Sequence, residues 1–505
     1  MKKKSILLAA LGFAMSLSSC GAVAHVVDQE LPSDDPSSET EIVFWHCLGH
    51  AKTTNLEKIV AQFNTQYAGK YRVSLVHLAG DYSTLHDALK TKLASGEIPA
   101  LTMGYPDSFS EYMSNDITQS QILRLTNFIE DKTYGYSATE IADFVPGYYS
   151  EGNNYQFEGV WSMPMYKSTE VMYYNQSYFF GCSDINAKKF ENNNEFKALY
   201  NEVLGRTGEN DPEGTLTEDL TALKNWLKSH EGYTYEIPTT WSEMMTLAAQ
   251  MKRDRATVGL TTEFYPVGYD SDANMMISQM KQRGIAYTTN ENISVSDDHF
   301  LFNNAQTKAL VEEIKGYIND GLMITKNSLG GDKYTNTYFN DGKVAMTIGS
   351  TGGSSYNISS NFSVKLAPVP YSDSTPYYIQ QGPSICFFDN NNPYIHKGAW
   401  LFYKTIAEPE NNAVLALENS YDPVRISSYE TAQYRTWLSY EGKGLKYDIP
   451  ALTAQLKTHY MTSAVFVGSG TARTEIGNVI KNVVRSGYSV DEALTAAYNA
   501  CLAAA

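Results

Sequence analysis

Residues 41–105 read EIVFWHCLGHAKTTNLEKIVAQFNTQYAGKYRVSLVHLAGDYSTLHDALKTKLASGEIPALTMGY, and this stretch decides the fold. It opens on Glu41-Ile-Val-Phe-Trp45, a short apolar run of the kind that forms a buried strand. The run breaks at His46-Cys-Leu-Gly-His50. Leu56, Ile59, Val60 and Phe63 then recur at helical spacing and predict a helix over 53–67. Tyr71 to His77 predicts a second strand, 84–94 a second helix, and Leu101 to Tyr105 a third strand. Strands and helices alternating through short loops predict a parallel α/β sheet. Such sheets bind ligands beyond the carboxyl ends of their strands, which points to 45–50, 80–82 and 105–108.

Outward from that core the pattern repeats. Gly159-Val-Trp-Ser-Met-Pro164 leads into Val171-Met-Tyr-Tyr-Asn175, an apolar strand of a second unit. Residues 181–236 turn polar and charged and read as an inserted excursion with a helix over 218–230. An amphipathic helix follows from Trp241, capped by Thr240 or Ser242. Val344 to Gly349 predicts a strand opening onto the small-residue loop Ser350-Thr-Gly-Gly-Ser-Ser355, and 363–370 predicts another. The tail predicts helices over 397–407, 411–418 and 465–504. About 465 residues of folded body are too many for one core and predict two lobes.

The amino end carries a separate message. Lys2, Lys3 and Lys4 precede an apolar stretch from Ser5 to Leu17, the layout of a secretory leader and too short for a membrane span. It closes on Leu17-Ser18-Ser19-Cys20, which looks like a bacterial lipobox whose cysteine thiol accepts a diacylglycerol. Ala22-Val23-Ala24 offers an ordinary cleavage site as the alternative. Residues 1–19 are thus expected to be a lipoprotein signal peptide and 20–41, rich in Ser, Asp, Glu and Pro, a flexible tether. No later stretch is long and apolar enough to span a bilayer, so attachment is expected by the lipid alone, on the extracellular face of the bacterial membrane.

The net charge of −17, which deepens when the leader's lysines leave, argues against nucleic acid and anionic lipid as partners. Cys47, Cys182, Cys386 and Cys501 stand singly, without metal or redox spacing. They fit extracellular disulfides or buried free thiols equally. His46 and His50 stand at i, i+4, but on a glycine-bearing loop and without the glutamate of a zinc helix. They read as two loop histidines, or as one loop histidine and one that reaches a ligand. Asp270-Ser-Asp272-Ala-Asn274 begins like a calcium loop, yet Met275 and Lys281 occupy the positions that need Gly and Glu. The 349–355 loop lacks the Lys-Ser/Thr of a nucleotide-binding loop. No nucleophile, metal or carboxylate pair stands out, so the residues call for no enzyme and no cofactor. Tyr (37 of them) and Trp45, Trp161 and Trp241 supply rings of the sort that stack on sugars.

Phe44-Trp45-His46, Tyr82 with Leu85, Ile98-Pro99, Ser162-Met-Pro164, Ser168-Thr169 before Tyr173-Tyr-Asn175, Thr240-Trp241, Gly342-Lys-Val-Ala-Met-Thr347, Gly382-Pro-Ser384 and Tyr421-Asp-Pro-Val-Arg425 follow one another in an order that resembles the extracellular solute-binding proteins of carbohydrate ABC importers. The branch that binds sn-glycerol-3-phosphate is the most similar. The resemblance implies a two-lobed periplasmic-binding-protein-like α/β fold with a hinge and an inter-lobe cleft. Lobe 1 is expected to take 42–152 with 362–410, and lobe 2 to take 153–361 with 411–505. It further implies ligand contacts from Tyr82, Ser168, Ser350, Gly382 and Tyr421, and an Arg473 that faces phosphate in that branch. The family has an acidic ligand residue after the third strand; here Pro106 takes its place, with Asp107 beside it. With Trp45, His46 and Trp161 these residues form the expected site. The ligand is a sugar, oligosaccharide or polyol, with glycerol-3-phosphate or a glycerophosphodiester as the alternative and a glycan hydrolase as the rival class. The partners implied are the permease subunits of an importer, and the receptor itself is expected to be a monomer.

Overall fold

Period-two burial along the first strand sets one lobe: Ile42, Phe44 and His46 face inward from Thr40–His46 while their neighbours do not. The computed structural model describes residues 28–49, 52–113, 119–204, 215–291, 298–331, 333–372 and 376–505. The leader, Cys20 and His50 lie outside the described residues. In chain order the strands are β1 (Thr40–His46), β2 (Tyr71–His77), β3 (Leu101–Gly104), β4 (Met163–Pro164), β5 (Ser168–Asn175), β6 (Tyr265–Tyr269), β7 (Met323–Thr325), β8 (Val344–Ser350), β9 (Val364–Ala367), β10 (Tyr378–Gln381), β11 (Ser384–Phe387) and β12 (Tyr460–Met461).

They form two sheets, one per lobe. The first runs β2-β1-β3-β11-β4, parallel among β1, β2 and β3 and antiparallel where β11 joins. The second runs β12-β10-β5-β8-β6-β7, with β9 also paired to β5. Phe44, Phe63 and Phe402 pack edge-on in the first core. The second core is methionine-rich, with Met244, Met275, Met280 and Met346 fully buried; unbranched thioether chains fill the irregular gaps between helix and sheet.

The lobe boundaries differ from expectation. Residues 153–166 belong to lobe 1, because β4 pairs with β11 and Trp161 lies in the first core. Conversely 362–381 supplies β9 and β10 to lobe 2, and Leu415, Ala416 and Val424 return to the core of lobe 1. Apolar strands do not advertise which sheet they join, and here the choice rests on pairing partners some 200 residues away. The excursion folds as helices Asp184–Lys189, Asn194–Val203 and Leu216–Ser229 around a small core of its own. The expected 465–504 helix is two, Ser469–Arg485 and Val490–Ala504; Gly487 at φ +76° ends the turn, and a Ser489–Glu492 capping box starts the next.

The tether reading also changes. From Asp28 the chain lies along lobe 1. Leu31 is buried, Arg124 binds Asp28 through two nitrogens, Tyr134 donates to the Ser33 carbonyl at 3.1 Å, and Lys397 donates to the Asp34 carbonyl at 2.8 Å. A polar segment without a core is here ordered by donors on the folded body.

The segments 164–168 and 381–384 cross between the lobes side by side. Gly382, at φ +98°, lies so close that a Cβ would stand 2.8 Å from the Tyr166 carbonyl and 3.0 Å from Lys167 Cα. Only glycine fits this approach. Next to it the Lys167 ammonium, fully buried, donates to Ser384 Oγ at 2.9 Å and bonds Glu151. Asp422 exchanges backbone hydrogen bonds with Lys167 and accepts from Tyr148, Thr453 and Tyr460.

Candidate ligand-binding cleft

The cleft between the lobes has walls of different chemistry. On lobe 1, Asp81 caps the helix Tyr82–Ala94 by accepting from the Thr84 N–H at 2.9 Å, which fixes Tyr82 at the first turn. Tyr105 follows directly on β3 and packs on Tyr82 with ring centroids 4.7 Å apart. Tyr166 and Tyr421 form a second tilted pair at 4.7 Å.

On lobe 2 the wall is polar and cross-bonded. Glu170 projects from β5 with its two oxygens taken by Tyr269 (2.6 Å) and by the Asn274 amide (2.7 Å). Asn274 lies in the first turn of the helix Asp272–Gln282, where Ser271 caps it. Its Oδ1 accepts from Gln381 at 3.2 Å and from Arg473. Asp270 accepts from the Thr335 N–H at 2.8 Å. Burial pushes Glu170 up to about 7 despite the bonds from Tyr269 and Asn274, and Asp272 up to about 6. Burial also raises Asp270, and raises Asp107 against the pull of Arg473.

The lobes touch at several points across the cleft. Lys52 donates to the Gly352 carbonyl at 3.2 Å, Ser110 meets Ser469 at 3.3 Å, and Arg473 Nε stands 3.8 Å from Asp107. Between the contacts lies a cavity of about 700 Å³ lined by Tyr105, Glu170, Asp270, Asn274 and Ser350 among others. A second, of about 570 Å³, is walled by Tyr82, His86, Asp107, Glu111 and Arg473. The two share Asp81, Tyr105 and Thr474.

The structure brings Tyr82, Asp107, Ser350 and Arg473 to these cavities. Ser168 lies beneath, 3.5 Å from Ser350 Oγ. Tyr421 stands behind Gly352, where a Cβ would come within 2.5 Å of its hydroxyl. Four expected residues are elsewhere. His46 faces the lobe 1 core beside His77, at 5.3 Å between ring centroids, and burial with that neighbour pushes it down to about 4. Trp45 is half-buried against the same core. Trp161 is fully buried, with its indole N–H given to Phe157. Gly382 makes its close approach to the adjacent crossing segment. Arg425 is bound to Asp143 within lobe 1. Glu170, Asp270 and Asn274 were not expected. The signal for the last two was the 270–274 motif, in which a failed calcium loop is a helix start that turns oxygens toward the cleft. Cys47, Cys182, Cys386 and Cys501 are free thiols, with Cys47 pushed up to about 12 by burial.

Two α/β lobes joined by crossing segments, with a polar cleft between them, define a hinged binding protein. The chain belongs to the bacterial extracellular solute-binding protein family, whose model matches residues 58–440. Proteins of this family bind substrates and are not enzymes. A search of curated proteins finds no match. Solved structures agree in fold. The cyclic α-maltosyl-1,6-maltose binding protein of Arthrobacter globiformis is 15% identical with a TM-score of 0.63, covering 92% of this chain and 99% of its own. UgpB of Mycobacterium tuberculosis, solved with glycerophosphocholine, is 17% identical with a TM-score of 0.62, covering 92% and 98%. The GacH receptor of Streptomyces glaucescens, solved with acarbose, is 15% identical at 0.63, covering 92% and 98%. Among the described residues no helix is long and apolar enough to cross a membrane.

Proposed function

We propose that this protein is the lipid-anchored substrate-binding component of an ABC importer, held at the outer face of the membrane through Cys20, and that it captures a polyhydroxy ligand of the sugar class by lobe closure. The observation that carries the reading is the pairing of walls: tyrosine rings on lobe 1 oppose a carboxylate and amide network on lobe 2. Rings stack on the apolar faces of a sugar, and carboxylates and amides accept its hydroxyls. Phosphate fits less well. Arg473 is engaged by Asn274 and faces Asp107, and Arg425 is bound within lobe 1. Recognition of a phosphate needs converging, uncommitted cations. The ligands of the structural relatives, two saccharides or saccharide mimics and one glycerophosphodiester, frame the same choice.

A thermal-shift screen of the purified chain against linear and cyclic gluco-oligosaccharides, polyols and glycerophosphodiesters tests it. A saturable rise with a saccharide is expected. A rise with glycerophosphodiesters alone would reverse the ranking. Cys20→Ala is expected to release the protein from membranes into the medium, and retention would remove the anchor from the proposal.

A further inference from the structure

Around the 700 Å³ cavity, carboxylates outnumber cationic side chains. Glu170, Asp270 and Asp272 line it from lobe 2 and Asp81 from lobe 1. Asn357, 2% exposed, spends its amide on the Gly353 carbonyl at 3.2 Å, while its Oδ1 has no partner among the described residues. Gly349 leaves open the space beside Asp270, where a Cβ would stand 3.0 Å from Oδ2. One cation of the chain already occupies this ground. Lys326 Nζ lies 4.1 Å from the centre of the Tyr334 ring, donates to its hydroxyl at 2.9 Å, and acts electrostatically on both Asp270 and Asp272. Tyr334 and Tyr356 stand exposed at the rim.

Resting on the sugar-class reading above, we infer that the ligand carries a protonated primary amine, so that the cleft is built for an amino sugar rather than a wholly neutral one. A hydroxyl offers one donor, whereas an ammonium offers three together with a full charge. Desolvated carboxylates that line one cavity with an unpaired amide oxygen gain most from such a group. Lys326 on Tyr334 shows how an ammonium sits here, between ring face and carboxylates. A quaternary ammonium has no N–H to give and would leave the Asn357 acceptor unsatisfied.

Isothermal titration of the unaltered protein with chitosan trisaccharide, its fully N-acetylated counterpart and cellotriose separates charge from shape. The free amine is expected to bind about tenfold or more tighter than either neutral trisaccharide, with the gap narrowing as salt rises. Asp270→Asn should shrink the preference to about threefold or less. Lys326→Met, which keeps the stem and removes the internal ammonium, should enlarge it. Equal or tighter binding of the neutral sugars overturns the amine while leaving the sugar reading intact. Binding of putrescine as tight as that of the trisaccharide would reduce the effect to the overall negative charge and overturn the inference too. Binding of none of the trisaccharides overturns the amine inference, and the sugar reading is then decided by the thermal-shift screen.

Discussion

The two walls of the cleft differ in how they would fail. The lobe 1 wall is a set of rings, in which Tyr82 and Tyr105 face the cleft as a pair and Tyr421 stands behind it on the fully buried Tyr166, each contributing mainly area. The lobe 2 wall is a network, in which Glu170, Tyr269, Asn274, Gln381 and Arg473 each satisfy another's polar group. Truncating a ring loses a contact. Truncating a network member strands its partners in a dry site, which costs more than the bond itself. Asn274→Ala should therefore give the largest effect. It leaves Glu170 without one of its two side-chain donors and frees Arg473 and Gln381, for a stability loss of about 2–3 kcal/mol together with loss of ligand binding. Denaturant unfolding and titration calorimetry would check it. A variant as stable as the parent would show that the wall is not a cooperative network.

The network also has a pH signature that the ring wall lacks. Burial lifts Glu170 from its ordinary 4.5 to about 7. Between those values the folded chain holds a proton that the unfolded chain has released. The stabilising contribution is therefore largest at low pH and is lost as pH climbs through about 7. His46 acts oppositely, since its folded value of about 4 lies below its ordinary 6.5 and favours folding as pH rises through that range. The measurement is thus the difference between parent and Glu170→Gln. The melting temperature of the parent should fall by a few degrees more than that of the variant between pH 5 and 7. Parallel curves would mean that Glu170 titrates as an ordinary carboxylate.

On the ring wall, Tyr421→Ala should weaken ligand binding by about tenfold or more, the loss of one buried aromatic contact, with the chain still folded. Its ring rests on Tyr166 and its hydroxyl closes on Gly352 of the opposite lobe. Unchanged affinity would remove Tyr421 from the site and leave lobe 2 as the whole of recognition.

This division tracks what could be read from the chain. The β-α-β-α-β start of lobe 1 was legible because its periods are local, and the strand-end rule led to Tyr82, Tyr105 and Asp107 on the ring wall. Of the network wall only Arg473 was expected, and that from the family resemblance. Glu170 acquires its meaning from Tyr269 and Asn274, which lie 99 and 104 residues onward, and nothing near Glu170 in the chain announces them. His46 went astray for the opposite reason. As the last residue of β1 it obeys the strand's period-two rule and turns to the core, where reading the break as a loop had freed it. Gly382 was expected at the ligand, yet its close approach is to the adjacent crossing segment, because a glycine's demand for space does not say whose atoms fill it.

The smallest effect expected is optical, and it bears on the comparison directly. The protein has six tryptophans, and none lines the two inter-lobe cavities. Trp161 and Trp400 are sealed in lobe 1, Trp241 starts a helix of lobe 2, and Trp226 stacks on His230 in the excursion. Trp45 is half-buried on lobe 1, and Trp437 donates its N–H to the Lys446 carbonyl. If the recognising rings are tyrosines, ligand should leave the tryptophan emission maximum where it is. Tyr356→Trp, placed at an exposed position on the rim of the cleft, should shift to the blue on binding as the ring leaves water. A ligand-induced blue shift in the unaltered protein would mean that an indole meets the ligand after all. Trp45 would then be the first to test, since it alone of the expected tryptophans is only half-buried, and the ring wall would have to be redrawn around it.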